Sequence, residues 1–321
     1  SKVRELLKSG EVVPGIANLS HDGKMIKAPD ALRMKQLDDV PSPYLTGLLD
    51  KFFDGRLSPM IQTNRGCPFA CTYCADGSAL TNKVFNFNLE RVKDEITYIA
   101  QRVPNNIKAL FLSDLNYGMF KRDSEISKHT ADIREQYNYP HYFEATTGKN
   151  SKTRVIQNVE LLQGTMQIGM SIQSMSPAVL KNIKRDNMRL DDFLGLKPAI
   201  RKAGLPTASE LILALPGETK ESHIMAIGNL LDAEIDNIFA WTLMLLNGSE
   251  LNTPAQKELY NYKTKFRVIP RDFTKLRSGK NVVEVEEVIV ETNDLPFDDY
   301  IYCRKLIVLV AAANNFGFRP L

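Results

Sequence analysis

Three of the four cysteines in this 321-residue chain lie within eight positions. Cys67, Cys71 and Cys74 follow a C-x3-C-x2-C spacing in the stretch NRGCPFACTYCADG, shortly after an apolar run. Thiolates are soft ligands that suit zinc, copper(I) or an iron–sulfur cluster. The spacing therefore predicts a metal centre held by one loop.

The fourth ligand decides which metal centre this is. A structural zinc site normally has four protein ligands, and a [4Fe–4S] cluster normally has four cysteines. The remaining Cys303 lies in an apolar, helix-like segment, which is typical of a buried small side chain. With three cysteines, one iron of a [4Fe–4S] cluster would keep an open position for a small molecule. The spacing thus favours a catalytic cluster, with zinc or inert thiols as alternatives.

Around this loop, β-rich runs alternate with helical patterns. The β-rich runs are 59–63, 107–114, 141–147, 165–174, 207–219 and 237–246. Helical patterns follow at 89–102, near 124–137, at 152–163, from Ser176 and Pro177 onward, and at 220–233. Six β–α units predict an α/β fold with a parallel sheet, which right-handed crossovers would close into a partial (βα)6 TIM-like barrel. The cysteine loop would then lie at the carboxyl end of the first strand, where such barrels hold their chemistry.

The flanking segments differ from this core. Residues 1–45 contain a short helix, a turn and a PSP sequence, and we expect a linker from an upstream domain. Residues 46–250 form the predicted barrel core. Residues 251–321 form a predicted α+β extension, with a basic loop at 271–280, a strand-like run after it and a helix from about Phe297.

Composition limits the partners. The formal net charge of +3 results from 41 basic and 38 acidic residues, which gives no electrostatic reason to expect nucleic acid or a membrane surface as a partner. The longest apolar run is about eight residues, against roughly 20 for a membrane span. No secretory signal pattern opens the chain, so a cytoplasmic location is expected.

The cysteine loop resembles that of the radical SAM superfamily. The resemblance covers about residues 40–250, and four stretches resemble the cobalamin-dependent branch: PSPYLTGLLDKFF, FLSDLNYG, SIQSMSPAVLKNIKR and ELILALPGET. It implies that Cys67, Cys71 and Cys74 bind a [4Fe–4S] cluster. The open iron would chelate S-adenosylmethionine (SAM), and the reduced cluster would cleave SAM to a 5′-deoxyadenosyl radical.

The resemblance also implies roles for single residues. Tyr73, the aromatic residue before the third cysteine, matches a position that packs beside the adenine. Asp114, at the end of the second strand, matches a position that meets the methionine ammonium group, with a capping or turn role as the alternative. Leu215 would contact the adenine through its backbone, although Ala214 replaces the more usual glycine of that motif.

Ser171 and Gln173 occupy alternate positions of the fourth strand, so both are expected to point to one face. If that face is the barrel interior, the ribose hydroxyls of SAM would be their partners. Glu144 on the third strand would contact SAM or substrate, and either face of the strand is open to it. Three histidines are expected to be surface or helix residues without a role in the site, namely His129, His141 and His223.

The implied reaction is methylation of an unactivated carbon of a small-molecule substrate. Cobalamin would be bound by a domain outside this chain, because the chain has no D-x-H-x2-G motif. An electron donor such as flavodoxin or ferredoxin would reduce the cluster. One spare cysteine cannot supply a second cluster, and the sequence singles out no catalytic acid or base. The alternatives are radical oxidation or rearrangement without methyl transfer, and a non-catalytic, metal-stabilised scaffold.

Overall fold

The computed structural model describes residues 2–20, 22–148, 152–166, 168–186 and 207–315. The chain divides into two compact units, Ser1–Asp39 and Val40–Leu321. The first unit contains helix α1 (Lys2–Lys8) and an antiparallel hairpin of strands β1 (Ala17–Leu19) and β2 (Met25–Lys27). The linker role of residues 1–45 stays a prediction. The division between a core and an extension near residue 250 also stays a prediction, because both parts lie in the second unit.

In the described part of the second unit, six parallel strands form two three-stranded sheets. The first sheet has the order β3 (Met60–Ile61), β6 (Ala109–Tyr117) and β7 (Tyr142–Thr147). The second has the order β8 (Ile168–Gln173), β9 (Thr207–Leu213) and β10 (Asn237–Thr242). Between β3 and β6, strands β4 (Asn64–Arg65) and β5 (Phe85–Asn86) form a short antiparallel pair. The predicted α/β fold is confirmed.

Helices follow the strands of both sheets. They are α2 (Leu89–Ala100), α3 (Asp123–Tyr137), α4 (Lys152–Leu161), α5 (Pro177–Asn182) and α6 (Lys220–Asp232). Ser176 is the N-cap residue of α5 and Pro177 is its first residue, as predicted, although the Ser176 hydroxyl makes no capping hydrogen bond.

Helix α2 shows why these segments fold as they do. The Asn88 side chain caps its start by accepting hydrogen bonds from the backbone N–H groups of Glu90 and Arg91. Three apolar residues at helical spacing, Val92, Ile96 and Ile99, are each at most 1% exposed. The hydrophobic effect thus fixes one face of α2 in the core, as the sequence pattern predicted.

Each sheet has one buried face and one exposed face. In the first sheet Leu110 and Leu112 are buried, whereas Phe111 and Ser113 on the alternate positions of β6 are exposed. We call the exposed side the open face. Residues that pair in register on a parallel sheet share a face. In the first sheet Glu144, which pairs with Phe111, is therefore also on the open face. In the second sheet the residues on the open face are Ser171, Glu210, Phe239, Ile212 and Trp241.

The C-terminal part contains helix α7 (Pro254–Leu259), a hairpin of strands β11 (Lys263–Lys275) and β12 (Asn281–Glu291), and helix α8 (Phe297–Val310). The prediction of a loop at 271–280 is wrong for its first half, because residues 271–275 belong to β11. Cross-strand pairing explains the difference. Phe273 pairs with Val283, Thr274 with Val282 and Lys275 with Asn281, so these residues continue the hairpin.

Helix α8 packs against the second sheet through an apolar cluster. The cluster contains Leu213, Leu243, Ile289, Leu295 and Cys303, all at most 2% exposed. The prediction that Cys303 is a buried small side chain is confirmed, and burial raises the pKa of its thiol to about 11. Within the described residues, no helix has the length and apolar character needed to cross a bilayer.

Removal of a core side chain from α2 tests this packing. Ile96 is fully buried, so we expect Ile96→Ala to lower the free energy of unfolding by about 2–5 kcal/mol through lost burial and an unfilled cavity. Urea denaturation monitored by circular dichroism measures this change. The exposed Asp94 on the same helix provides the control, since Asp94→Ala should change the stability by less than about 0.5 kcal/mol. Equal effects of the two substitutions would contradict the assignment of the buried face.

Candidate functional site

The cysteine loop joins β4 to β5, and the pairing of these strands holds its two ends together. Asn64 pairs with Asn86 and Arg65 with Phe85. Inside the loop, the backbone N–H of Cys67 donates to the Thr81 carbonyl (3.1 Å). The loop is therefore closed at its base and pinned again at the first cysteine.

The other two cysteines are held by a tight backbone turn. The N–H of Cys74 donates to the Cys71 carbonyl, and the N–H of Gly77 donates to the Cys74 carbonyl, both at 3.1 Å. A Cβ atom at Gly77 would lie 2.2 Å from the carbonyl oxygen of Cys71. That distance is far inside van der Waals contact with backbone, so this turn requires glycine at position 77.

Two polar side chains contact the cysteine sulfurs. The Asn116 amide Nδ2 lies 3.2 Å from Cys67 Sγ, and Arg185 Nη1 lies 3.9 Å from Cys71 Sγ. Cys67 and Cys71 are buried and Cys74 is half-buried, and all three are free thiols. N–H donors directed at buried sulfurs stabilise thiolates and tune the clusters that thiolates hold.

The arrangement of the thiols fits a cluster better than a single ion. Among the described residues, no three Cys, His, Asp or Glu side chains converge closely enough to hold one metal ion. Zinc would need its ligands at about 2.0–2.3 Å from one centre. In a [4Fe–4S] cluster each thiolate binds a different iron, so the sulfurs lie further apart. Three thiolates on one closed, largely buried loop therefore fit this cluster.

Asp114 holds the start of the loop. Its buried carboxylate accepts hydrogen bonds from the Thr63 N–H (2.7 Å), the Thr63 hydroxyl and the Asn64 side-chain amide (2.6 Å). Burial raises the pKa of the Asp114 carboxyl, although the donors of Thr63 and Asn64 oppose the rise. These contacts are those of an aspartate that fixes a turn, which is the alternative role given for Asp114 in the sequence analysis. A contact with the SAM ammonium group stays a prediction.

Arg185, which the sequence did not single out, connects the loop to the second sheet. One guanidinium nitrogen donates to the Tyr73 hydroxyl (2.7 Å), and the other donates to the Ser171 carbonyl. Burial raises the pKa of the Tyr73 phenol well above its ordinary value, so it stays neutral near pH 7. Arg185 follows Lys184 at the end of a short helix, and the sequence gives no sign that only one of the two is buried.

A β-bulge separates Ser171 from Gln173, so they are not alternate positions of a regular strand. Ser171 pairs with Glu210, but Gln173 pairs with Leu211, whose side chain is on the buried face. The expectation that both side chains point to one face is wrong. Gln173 has a φ of +66° and is buried, with no hydrogen-bond partner for Oε1 among the described residues.

The other predicted site residues have varied surroundings. Glu144 is exposed on the open face. Leu215 is fully buried, and its carbonyl accepts from the Glu218 N–H (3.0 Å). Their contacts with SAM stay predictions. His223 is not a surface residue: its imidazole is fully buried, with Nδ1 3.3 Å from Glu218 Oε1. Burial raises the pKa of Glu218, and the neighbouring His223 ring opposes that rise.

A family model described as the radical SAM superfamily matches residues 61–228, more than half of the chain. This chain therefore belongs to the radical SAM superfamily, which confirms the resemblance seen in the cysteine loop. The cofactors of that family are a [4Fe–4S] cluster and SAM.

The chain is also similar to two curated methyltransferases. It is 33% identical over 318 residues to the cobalamin-dependent radical SAM methyltransferase TokK of Streptomyces tokunonensis. It is 30% identical over 318 residues to a 2-(S-pantetheinyl)-carbapenam-3-carboxylate methyltransferase of Streptantibioticus cattleyicolor. Each alignment covers 94% of this chain and 45% of the relative, so the chain spans less than half the length of these proteins.

Solved structures share the fold. The methyltransferase TsrM from Kitasatospora setae, with cobalamin and a [4Fe–4S] cluster bound, gives a TM-score of 0.60 at 14% identity, over 84% of this chain and 54% of TsrM. The enzyme OxsB with aqua-cobalamin bound gives a TM-score of 0.62 at 13% identity, over 97% of this chain and 49% of OxsB.

Substitution of Gly77 tests the loop geometry. Because a Cβ would collide with the Cys71 carbonyl, Gly77→Ala should displace the turn between the second and third cysteines and abolish cluster assembly. Iron and sulfide content after anaerobic reconstitution measures the loss. Gly228→Ala is the matched control, since a Cβ there meets nothing within 4 Å, and it should assemble the cluster normally. A Gly77→Ala protein with full iron content would contradict the observed turn.

Neutralising Arg185 tests its electrostatic role. A buried positive charge beside Cys71 favours the reduced cluster, so Arg185→Gln should lower the midpoint potential by on the order of 60 mV, a tenfold shift for one electron. Redox titration followed by EPR, without SAM, measures the potential. Lys184→Gln removes the same charge one residue away, where the ammonium is more than half exposed and pairs with Glu250 (2.7 Å). Equal shifts in both variants would show that Arg185 has no special contact with the cluster.

Proposed function

We propose that this chain is the radical SAM portion of an enzyme that methylates an unactivated carbon of a small molecule, using cobalamin bound by a domain outside this chain. The three-thiolate loop, buried and contacted by Asn116 and Arg185, is the observation that carries the proposal. The six parallel strands would form a partial (βα)6 barrel around the open face. A cytoplasmic location, and flavodoxin or ferredoxin as the electron donor, complete the proposal.

Cys67, Cys71 and Cys74 would hold the cluster, and the open iron would bind SAM. When bound, the cluster supplies the electron for reductive cleavage of SAM, and cobalamin supplies the methyl group. The role of this chain is to bind, orient and exclude water. Asn116 and Arg185 direct N–H groups at two of the sulfurs and hold the loop in place.

The neighbouring polar groups are suited to SAM. The single hydroxyl proton of Ser171 is donated to Glu210 (2.6 Å), so the free lone pairs of its oxygen would accept from a ribose hydroxyl. Gln173 is paired with Leu211 on the other face, so its unpaired acceptor is not assigned to the ribose. Tyr73 and the Leu215 backbone would contact the adenine. Asp114 would act through the loop that it fixes.

Methyl transfer is preferred to oxidation or rearrangement because both curated relatives are named methyltransferases. One of them acts on a carbapenam carboxylate with a pantetheinyl chain. We propose a substrate of that class for this chain: a small carboxylate that carries an amide-containing chain. Glu144, exposed on the open face, would lie on the substrate side.

The test is EPR on the anaerobically reconstituted protein reduced with dithionite. We expect a [4Fe–4S]⁺ signal that shifts when SAM is added, because SAM occupies the open iron. Cys74→Ala should lose the signal, whereas Cys303→Ala should keep it, since Cys303 is buried in the apolar cluster. Loss of metal in Cys303→Ala would support the non-catalytic scaffold instead.

Product analysis separates the enzyme alternatives. With SAM carrying a deuterated methyl group, cobalamin and reductant, mass spectrometry should find the deuterated methyl group in the product. A radical oxidation or rearrangement would form 5′-deoxyadenosine and an altered substrate without added label.

A further inference from the structure

The hairpin of β11 and β12 is joined to the core at its base. The bridge between Met244 and Val288, and the hydrogen bond from the Leu245 N–H to the Glu287 carbonyl (3.0 Å), connect it to the segment after β10. Toward its turn, β12 pairs only with β11 among the described residues. A two-stranded hairpin on its own is marginally stable in water, so a covering surface would stabilise this outer part.

One face of the outer part is apolar. Residues that pair in register share a face, and Val268 pairs with Val285 and Phe273 with Val283. Phe266, two positions before Val268 on β11, has the same orientation. These five side chains, which we call the hairpin patch, are 52–70% exposed. A contiguous exposed apolar patch of this kind is typical of a protein interaction surface.

Each end of the hairpin patch has one charged residue on the same face. Glu287, the register partner of Phe266, lies at the end nearest the core. It accepts from the Thr264 hydroxyl (2.8 Å) and contacts Lys257 Nζ (3.4 Å), and its side chain is still 23% exposed. Lys275, two positions beyond the last ring of the patch on β11, lies at the end nearest the turn. It is exposed and forms no ion pair with any described side chain.

The order of these groups is complementary to itself. A two-fold axis that crosses the patch between Val283 and Val285 would pack two copies face to face with their hairpins antiparallel. Each Lys275 would then lie over the pair of Phe266 and Glu287 in the other copy, where its long side chain can reach the carboxylate. The apolar side chains between these ends would cover one another. A symmetric dimer requires such a self-complementary surface.

The other surfaces of the hairpin are less suited to an apolar contact. Pro270 lies in the bulge of β11 between Val268 and Phe273, and proline cannot donate a hydrogen bond to a strand added at that edge. On the opposite face of the hairpin, Arg267 forms an ion pair with Glu286. A partner would therefore bury most apolar area on the hairpin patch.

We propose that the hairpin patch binds a second copy of this chain face to face, in a two-fold symmetric dimer with two contacts between Lys275 and Glu287. This inference goes beyond the proposed function and does not depend on it. Stable interfaces bury about 1,200–2,000 Å², and five side chains per copy cover less than that, so we expect a dissociation constant on the order of 10–100 µM.

Sedimentation velocity of the reconstituted protein, between about 1 and 200 µM, measures the dimer. We expect the average mass to rise from that of the monomer toward that of the dimer over this range. Val285→Asp places a charge in the centre of the apolar contact and should abolish dimerisation. Val308→Asp is the matched control, because Val308 is an exposed valine on α8, and it should leave the dimer unchanged.

Charge reversal tests the pairing itself. Lys275→Glu and Glu287→Lys each bring like charges together twice per dimer, so each variant alone should dimerise at least about tenfold more weakly. A one-to-one mixture of the two variants restores opposite charges at both contacts, so it should form a heterodimer about as tightly as the parent protein. Lys128→Glu makes the same change of charge at an exposed position of α3 and should leave dimerisation unchanged.

The outcomes distinguish a second copy from other partners of the patch. A parent protein that stays monomeric at the highest concentration would overturn the inference, and the patch would then be covered by another protein or by another part of a longer chain. A dimer that survives Val285→Asp, or that Val308→Asp disrupts instead, would overturn it because the contact would lie elsewhere. Recovery in the mixture would support it, since an unfolded variant could not be rescued by the other. No recovery from two variants that are folded by circular dichroism would overturn it.

Discussion

The buried carboxylate of Asp114 is the interaction on which the cluster site depends. A desolvated carboxylate is costly unless donors surround it, and here the donors are the backbone and side chains of Thr63 and Asn64. Those residues lie at the exit of the very short strand β3, which has little pairing of its own to fix where the loop begins. Asn116, two positions further along β6, contacts Cys67 Sγ from the same strand. One strand thus sets both the start of the loop and its first sulfur.

The second sheet is linked to the cysteine loop by a charged side chain, that of Arg185. Arg185 has a planar, rigid guanidinium group that contacts Cys71, Tyr73 and the Ser171 carbonyl at once. The loop is consequently contacted from both sheets, by a neutral amide on one side and a cation on the other. Removing either partner would leave a buried polar group without its contacts, which is why the loop and the two sheets should be stable only together.

Periodic patterns predicted the elements because they follow from burial, as the apolar face of α2 shows. These sequence patterns gave wrong predictions where tertiary contacts override the local periodicity of the strand. The alternation that placed Ser171 and Gln173 on one face does not hold across a bulge, and nothing in SIQS signals the extra residue. Likewise, the basic stretch 271–275 looks like a solvated loop, and only its pairing with residues 281–283 across the hairpin makes it a strand. The spacing of the three cysteines is local and can be seen in the sequence, whereas Arg185 contacts residues that are distant along the chain.

Two of the non-glycine residues with positive φ lie at the carboxyl ends of neighbouring strands. Gln173 at the end of β8 and Ala214 just after β9 have φ values of +66° and +71°, a region that costs non-glycine residues about 1 kcal/mol or more each. Gln173 also has a buried acceptor without a partner among the described residues. Strain and an unpaired polar atom lower stability, and they persist only where the surrounding structure holds them. Gln173 lies on the face opposite to Ser171, so its unpaired acceptor is a cost to folding inside the packed side of the sheet. The carboxyl ends of β8 and β9 are thus held in these conformations by the packing around them, at a cost in stability.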